Sequence, residues 1–189
     1  MVSKGQQVRE RIVDAANRLF YERGFNRTSF SDIADATDIP RGNFYYYFKS
    51  KDEILGAVID ARLDDISSML NTWSETIDSP GDRLKRYLRI AVNEAPQVLL
   101  HGCPMGSLNQ ELIKDQDVLR EQARKMFDLF GGWLEEQFSA LGKSGDVASE
   151  LARHLQGRMQ GIALLGAAYS DTEFITREVR QLTDWLEEL

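Results

Sequence analysis

Between Thr28 and Lys51 the chain gathers groups suited to gripping a nucleic-acid duplex. They are the hydroxyls of Thr28 and Ser29, then Arg41, Gly42, Asn43, Tyr45 and Tyr46, and finally Lys51. Hydroxyls, ammonium groups and helix N-termini bind phosphate oxygens, while a guanidinium can pair bidentately with guanine. Arg41 and Asn43 are therefore the candidates for base edges, and Thr28, Tyr46 and Lys51 those for phosphates. A competing chemistry needs a nucleophile and a base. Cys103 follows His101 by two residues, but such neighbours in a turn rarely point at each other, and nothing in the pattern orients His101. No phosphate loop, zinc spacing or dinucleotide fingerprint occurs. The expectation is no catalytic residue, no metal, no cofactor and no enzymatic activity.

The elements that position these groups follow from local signals. Thr28 or Ser29 caps a short helix whose inward face holds Phe30, Ile33 and Ala34. Thr37-Asp38-Ile39-Pro40 is a turn, because Pro40 biases Ile39 away from helix and can itself open the next one. In the second helix Phe44 and Phe48 are four apart and share the buried face. Three consecutive tyrosines, Tyr45 to Tyr47, cannot all face one core. Ser50 and Glu53 form a capping box for a further helix. A short bracing helix followed by one that displays Arg, Asn and Tyr is a helix-turn-helix.

The run Gly42-Asn43-Phe44-Tyr45-Tyr46-Tyr47-Phe48-Lys49-Ser50-Lys51-Asp52 resembles the signature of the tetracycline-repressor (TetR) family, which often has His where this chain has Tyr47. Ala15 to Phe25, A-A-x-x-L-F-x-x-x-G-F, is similar to the family's first helix. The resemblance covers the first ~55 residues specifically, since a motif match holds where the motif is. It implies a transcriptional regulator, expected here to be a repressor. Such a regulator binds a palindromic double-stranded DNA operator as a homodimer and is released by a small-molecule inducer whose identity the sequence does not give.

Composition agrees with that class. Of 189 residues 42% are hydrophobic and 4 are proline, which favours an all-α fold. No apolar run approaches the ~18–20 residues of a membrane span. The N-terminus has no secretion signal and the single cysteine builds no intrachain disulfide, so a cytoplasmic location is expected. The net charge is −7, but residues 1–55 carry 9 Lys/Arg against 8 Asp/Glu and the remainder 14 against 22. The acidic excess thus lies outside the segment expected to meet phosphates, and it is the local basic groups that govern that affinity.

The expected architecture is a three-helix helix-turn-helix domain, residues 1–50, followed by a larger helical ligand-binding and dimerisation domain, residues 51–189. About nine helices are expected in all. Helices are expected over 5–23, 52–76, 82–94, 117–140, 147–169 and 172–189, with the stretch from Pro96 to Ser107 the most irregular. Gly131-Gly132 and the glycines 157, 161 and 166 weaken their helices unless neighbours pack closely. The last two helices suit a four-helix bundle with a second copy, through Leu155, Ile162, Leu165, Phe174, Leu182 and Trp185. A ligand between helices is expected among Trp73, Tyr87, Leu88, Leu99, Cys103, Met105, Met126, Phe127, Phe130 and Trp133. Two readings stay open for Cys103. It is a reactive thiol favoured by the N-terminus of the next helix, as in some members of the resembled family, or an inert apolar filler.

Overall fold

The computed structural model describes residues 3–113 and 117–189, and all regular structure among them is helical. In chain order the helices are α1 (Lys4–Arg23), α2 (Phe30–Ala36), α3 (Arg41–Tyr47), α4 (Lys51–Thr76), α5 (Pro80–Asn93), α6 (Ala95–His101), α7 (Pro104–Leu112), α8 (Asp117–Ala140), α9 (Gly145–Tyr169) and α10 (Thr172–Glu187). They form two compact units. Unit 1 holds residues 1–64 and 107–125, and unit 2 holds residues 65–106 and 126–189. Unit 1 thus takes in the opening of α4 and a later segment as well as the helix-turn-helix.

In unit 1, α1 starts under a cap. The Ser3 hydroxyl accepts the Gln6 N–H at 3.2 Å. Gly24 closes the helix at φ +87°, a conformation that favours glycine. Its N–H donates to the Phe20 carbonyl at 3.1 Å. Phe25 then folds back, with its ring edge-on to Phe20 at 5.2 Å. Ile12, Ala16, Leu19 and Phe20 of α1 are buried, as are Ile33 of α2, Phe44 and Phe48 around α3, and Ile54, Leu55, Val58 and Ile59 of α4.

Unit 2 combines α5, α6, α9 and α10 with the later parts of α4 and α8, with α5 packed on α10 and α9 packed on both α6 and α10. Its core includes Leu84, Leu88, Leu134, Phe138, Leu155, Ile162, Ile175 and Leu182. Arg83 staples the end of α4, donating to the carbonyls of Ser74 and Ile77 at 2.7 Å each.

The stretch around residues 95–112 is more regular than its prolines suggest. Pro96 lies in the first turn of α6 and Pro104 opens α7, where a missing N–H leaves nothing unpaired. The break is confined to Gly102, at φ +77°, and Cys103. The glycines of the later helices divide by environment. A Cβ on Gly166 would sit 2.6 Å from Ile175 Cγ1, whereas one on Gly132 would meet nothing within 4 Å. Gly166 is therefore a point of close approach between α9 and α10. Gly166→Ala should lower stability by about 1–3 kcal/mol through overpacking against buried Ile175. Gly132→Ala should raise it by up to about 1 kcal/mol through helix propensity. Thermal unfolding of the two variants beside the parent checks both signs.

Candidate nucleic-acid interface

The helix-turn-helix is assembled from three local devices. Ser29 caps α2. Its hydroxyl accepts the Asp32 N–H at 3.1 Å, and the Asp32 carboxylate accepts the Ser29 N–H at 2.7 Å. The bonds from the Ser29 hydroxyl and N–H hold the Asp32 carboxyl below the ordinary carboxylate range, with help from the Arg23 charge. At the far end of α2 the Thr37 hydroxyl donates to the Ala34 carbonyl at 2.9 Å, and Arg11 of α1 donates to the Thr37 carbonyl at 2.7 Å. Asp38, at φ +54°, turns the chain into α3.

The orientation of α3 is set by Phe30. Its ring meets buried Phe44 edge-on at 4.8 Å and stacks on Tyr45 at 4.9 Å. With Phe44 and Phe48 wholly buried, the other side of α3 must face outward. Gly42 and Asn43 are exposed there, Tyr45 is 56% exposed and Tyr46 80%. A tyrosine so open has no partner in the core to account for it. Gly42, Asn43, Tyr45 and Tyr46 are thus the groups that α3 presents outward. Arg41 begins α3, and its side chain lies outside the described residues.

Two of the expected phosphate ligands are occupied within the fold. Thr28 is 1% exposed, and its hydroxyl donates to the Gly24 carbonyl at 2.8 Å and to that of Leu19 at 3.4 Å. It finishes α1 rather than facing solvent. The Lys51 ammonium donates to the Phe25 carbonyl at 2.9 Å and lies 4.1 Å from the centre of the Phe25 ring. In both cases a group able to bind phosphate satisfies an orphan carbonyl instead. Exposed Arg27, in the loop before α2, and exposed Lys49, shortly after α3 with its ammonium on the Tyr45 carbonyl, are basic groups that the motif reading passed over. Their signal in the sequence was position alone.

In unit 2 the expected ligand residues are largely packed on one another. Trp73 and Trp133 meet edge-on at 5.8 Å, Tyr87 and Phe130 lie 5.5 Å apart, and the Trp133 indole donates to Ser74 Oγ at 3.0 Å. Leu88 and Met126 are wholly buried, while Leu99 and Met105 are partly buried against the same core. Half-buried Phe127 accepts at its carbonyl from Gln156 at 2.9 Å. Burial pushes the Tyr87 phenol well above its ordinary range, with a smaller contribution in the same direction from Cys103. Cys103 is half-buried, and its Sγ accepts the Gly106 N–H at 3.5 Å. A cavity of about 190 Å³ lies elsewhere, between Ser79, Asp82, Lys85 and the end of α10, and none of the expected ligand residues lines it.

Of the six residues expected to meet a second copy, Leu155, Ile162 and Leu182 belong to the interior of unit 2. They cannot face a partner while that core is intact. Leu165 is exposed, and Phe174 and Trp185 are half-exposed. Among the described residues no cluster of His, Cys, Asp and Glu is placed to hold a metal, and no helix is long and apolar enough to cross a membrane.

The α3 surface makes a two-sided prediction. A Cβ at Gly42 would touch nothing within the chain. Gly42→Ala should therefore stabilise the protein by about 0.5–1 kcal/mol. It should nevertheless weaken binding to a duplex selected from a random pool, because the methyl stands where the backbone nears the nucleic acid. Asn43→Ala should cost about 1–3 kcal/mol of discrimination at one base pair. Thermal melts and titrations of a labelled duplex measure the two effects. Unchanged affinity in both variants would remove α3 from the interface.

The geometry finds close parallels. Residues 12–58 match the family model for bacterial regulatory proteins of the tetR family. An uncharacterized HTH-type transcriptional regulator in the lacX 3' region of Lactococcus lactis is 34% identical over 138 residues, spanning 72% of this chain and 70% of that one. The HTH-type transcriptional repressor DhaR of Mycobacterium sp. strain GP1 is 26% identical over 149 residues, 78% and 74% of the two chains. A TetR transcriptional regulator from Legionella pneumophila superposes with a TM-score of 0.84 at 25% identity, over 98% of this chain and 97% of that one. The match reaches well beyond the DNA-reading helices, and the chain belongs to the TetR family of helix-turn-helix, DNA-binding transcriptional regulators.

Proposed function

We infer that this regulator is a cytoplasmic repressor. It holds a palindromic operator as a homodimer and lets go when a small apolar or planar molecule enters unit 2. The observation that carries the reading is the second face of α9. One face of that helix, with Ala148, Ala152, Leu155, Met159, Ile162 and Gly166, is buried in unit 2. The other carries Gly157, Gly161, Leu164, Leu165, Ala168 and Tyr169, with Leu164 59% and Tyr169 78% exposed. An apolar row on a helix already packed on its opposite side is a surface for association. Small residues at Gly157 and Gly161 let another helix come near. Half-exposed Trp185, 5.2 Å from His154, extends the row onto α10. A dimer formed there supplies the two heads that a palindrome requires.

The aromatic cluster of unit 2 supports the ligand half of the reading. Trp73, Tyr87, Phe130 and Trp133 offer flat apolar walls, and Trp133 and Tyr87 bring polar tips. A molecule entering there must part rings that now touch. Its binding therefore favours a state of unit 2 different from the empty one, which is the differential affinity that release of DNA demands. The repressor DhaR of Mycobacterium, similar over most of the chain, agrees with repression as the mode of action.

The parent protein is expected to sediment as a dimer at micromolar concentration, and Leu165→Glu as a folded monomer with weakened operator binding. A Leu165→Glu protein that stays dimeric removes α9 as the interface. A gel-shift series with fractions of cell metabolites tests the inducer. At least one fraction should release the duplex and raise the melting temperature, and release by none would remove ligand control.

A further inference from the structure

Unit 1 contains a long-range tie that the helix-turn-helix motif does not explain. The Glu111 carboxylate, in the last turn of α7, accepts the Phe25 N–H at 3.3 Å and the Asn26 N–H at 2.9 Å. Caps on such loops ordinarily come from three or four residues away, whereas this one comes from 86 and 85 residues along the chain. The loop is shaped to admit it. A Cβ on Gly24, which sits at φ +87°, would lie 2.8 Å from Glu111 Oε1 and push the end of that side chain aside. Bonds from an N–H to an ionised carboxylate are roughly twice as strong as neutral ones.

What Glu111 grips leads directly to the DNA-reading surface. The Phe25 carbonyl is held by Lys51 and the Gly24 carbonyl by Thr28. Ser29, the next residue, caps α2, and Phe30 of α2 stacks on Tyr45 of α3. Displacing the peptides at 25 and 26 thus moves the start of α2 and with it Tyr45. The other end of α7 has a different attachment. Met105, in its first turn, packs against the core of unit 2 that holds Trp73, Tyr87 and Phe130. A single nine-residue helix therefore carries both anchors. Six residues of α-helix separate Met105 from Glu111 by about 9 Å, so the two do not meet.

We propose that α7 transmits the state of the unit 2 core to the DNA-reading helices, with the Glu111 carboxylate as its point of grip. Glu111 is a positioning residue: it touches neither DNA nor ligand and acts through the Gly24–Thr28 loop. The proposal deepens the reading that unit 2 controls DNA binding, and rests on it.

The test is a double-mutant cycle on affinity for a duplex selected by the parent protein from a random pool. The substitutions are Met105→Ala, Glu111→Ala and both together. Side chains this far apart and out of contact ordinarily give additive effects. Transmission through α7 predicts instead that Met105→Ala alters affinity about fivefold or more with Glu111 present, and less than about twofold without it. Leu182→Ala, in the same core but on α10, should add independently to Glu111→Ala. Glu111→Gln, which keeps an acceptor oxygen, should give a coupling between those of the parent and Glu111→Ala. Circular dichroism at the assay temperature restricts the comparison to folded proteins. Additive effects of Met105→Ala and Glu111→Ala overturn the proposal, and so does equal coupling for Leu182→Ala, which would mean general loosening. The cycle uses no small molecule. A failed inducer screen with a coupled cycle removes the ligand and keeps the transmission, and the reverse result keeps the ligand and removes the transmission.

Discussion

The five residues from Gly24 to Thr28 are the constraint on which unit 1 depends. A helix that ends must find partners for its last carbonyls, and the loop after it must find partners for its own amides. Here the partners come from three directions. Thr28 closes onto Gly24 and Leu19, Lys51 of α4 takes the Phe25 carbonyl, and Glu111 of α7 takes the Phe25 and Asn26 amides. The Phe25 ring lies between Phe20 and the Lys51 ammonium. Because Ser29 follows at once as the cap of α2, the direction in which α2 leaves is decided by this loop.

From there the surface offered to DNA follows by packing. Phe30 is the pivot of this packing, since its ring lies edge-on to the buried Phe44 and stacks on the exposed Tyr45. Aromatic contacts of this kind contribute about 0.5–1.5 kcal/mol beyond the area they bury. They also fix rotation of α3 about its axis, which a seven-residue helix could not fix by its backbone alone. Lys49 reaches back to the Tyr45 carbonyl and finishes the helix. The outward set of Gly42, Asn43, Tyr45 and Tyr46 is therefore a consequence of which aromatic rings were drawn inward.

The parts legible in the sequence were those decided within a few residues. The caps at Ser29 and Ser50, the turn at Asp38 to Pro40 and the inward pair Phe44 and Phe48 all rest on contacts three or four apart. Thr28 and Lys51, expected as phosphate ligands, serve carbonyls within the fold, because a hydroxyl or an ammonium suits a carbonyl as well as a phosphate. Only the fold shows which carbonyls lie within reach. Glu111 carried no signal, since its partners are 85 and 86 residues distant. From Gly161 to Tyr169 both faces of α9 are apolar or small, so periodicity alone did not separate Ile162, which fills the core, from Leu164 and Tyr169, which do not. The helices α6 and α7 were obscured by Pro96 and Pro104, which read as breaks but stand in first turns, where proline interrupts nothing.

The same competition between carbonyls and phosphates bears on how this acidic chain holds a polyanion. Residues 1–55 contain nine basic side chains. Four of them serve the fold: Arg9 covers the Phe48 ring at 4.7 Å, Arg11 binds the Thr37 carbonyl, Lys49 that of Tyr45 and Lys51 that of Phe25. Arg23 contributes to the field around Asp32 at the head of α2. Counterion release rewards only the cations that reach phosphates, not the number present in the domain. The near balance of charge in this segment therefore understates the demand on neutral groups. Exposed neutral groups such as the Tyr46 hydroxyl and the backbone at Gly42 are able to bind phosphate without bringing a charge, whereas the Ser29 hydroxyl is engaged with Asp32. With fewer cations to provide indiscriminate attraction, a larger share of the binding energy must come from the α3 face, where Asn43 and Tyr45 are exposed. A modest electrostatic contribution is in this way a source of selectivity, because it lowers the affinity for all sequences while leaving the contacts that distinguish them.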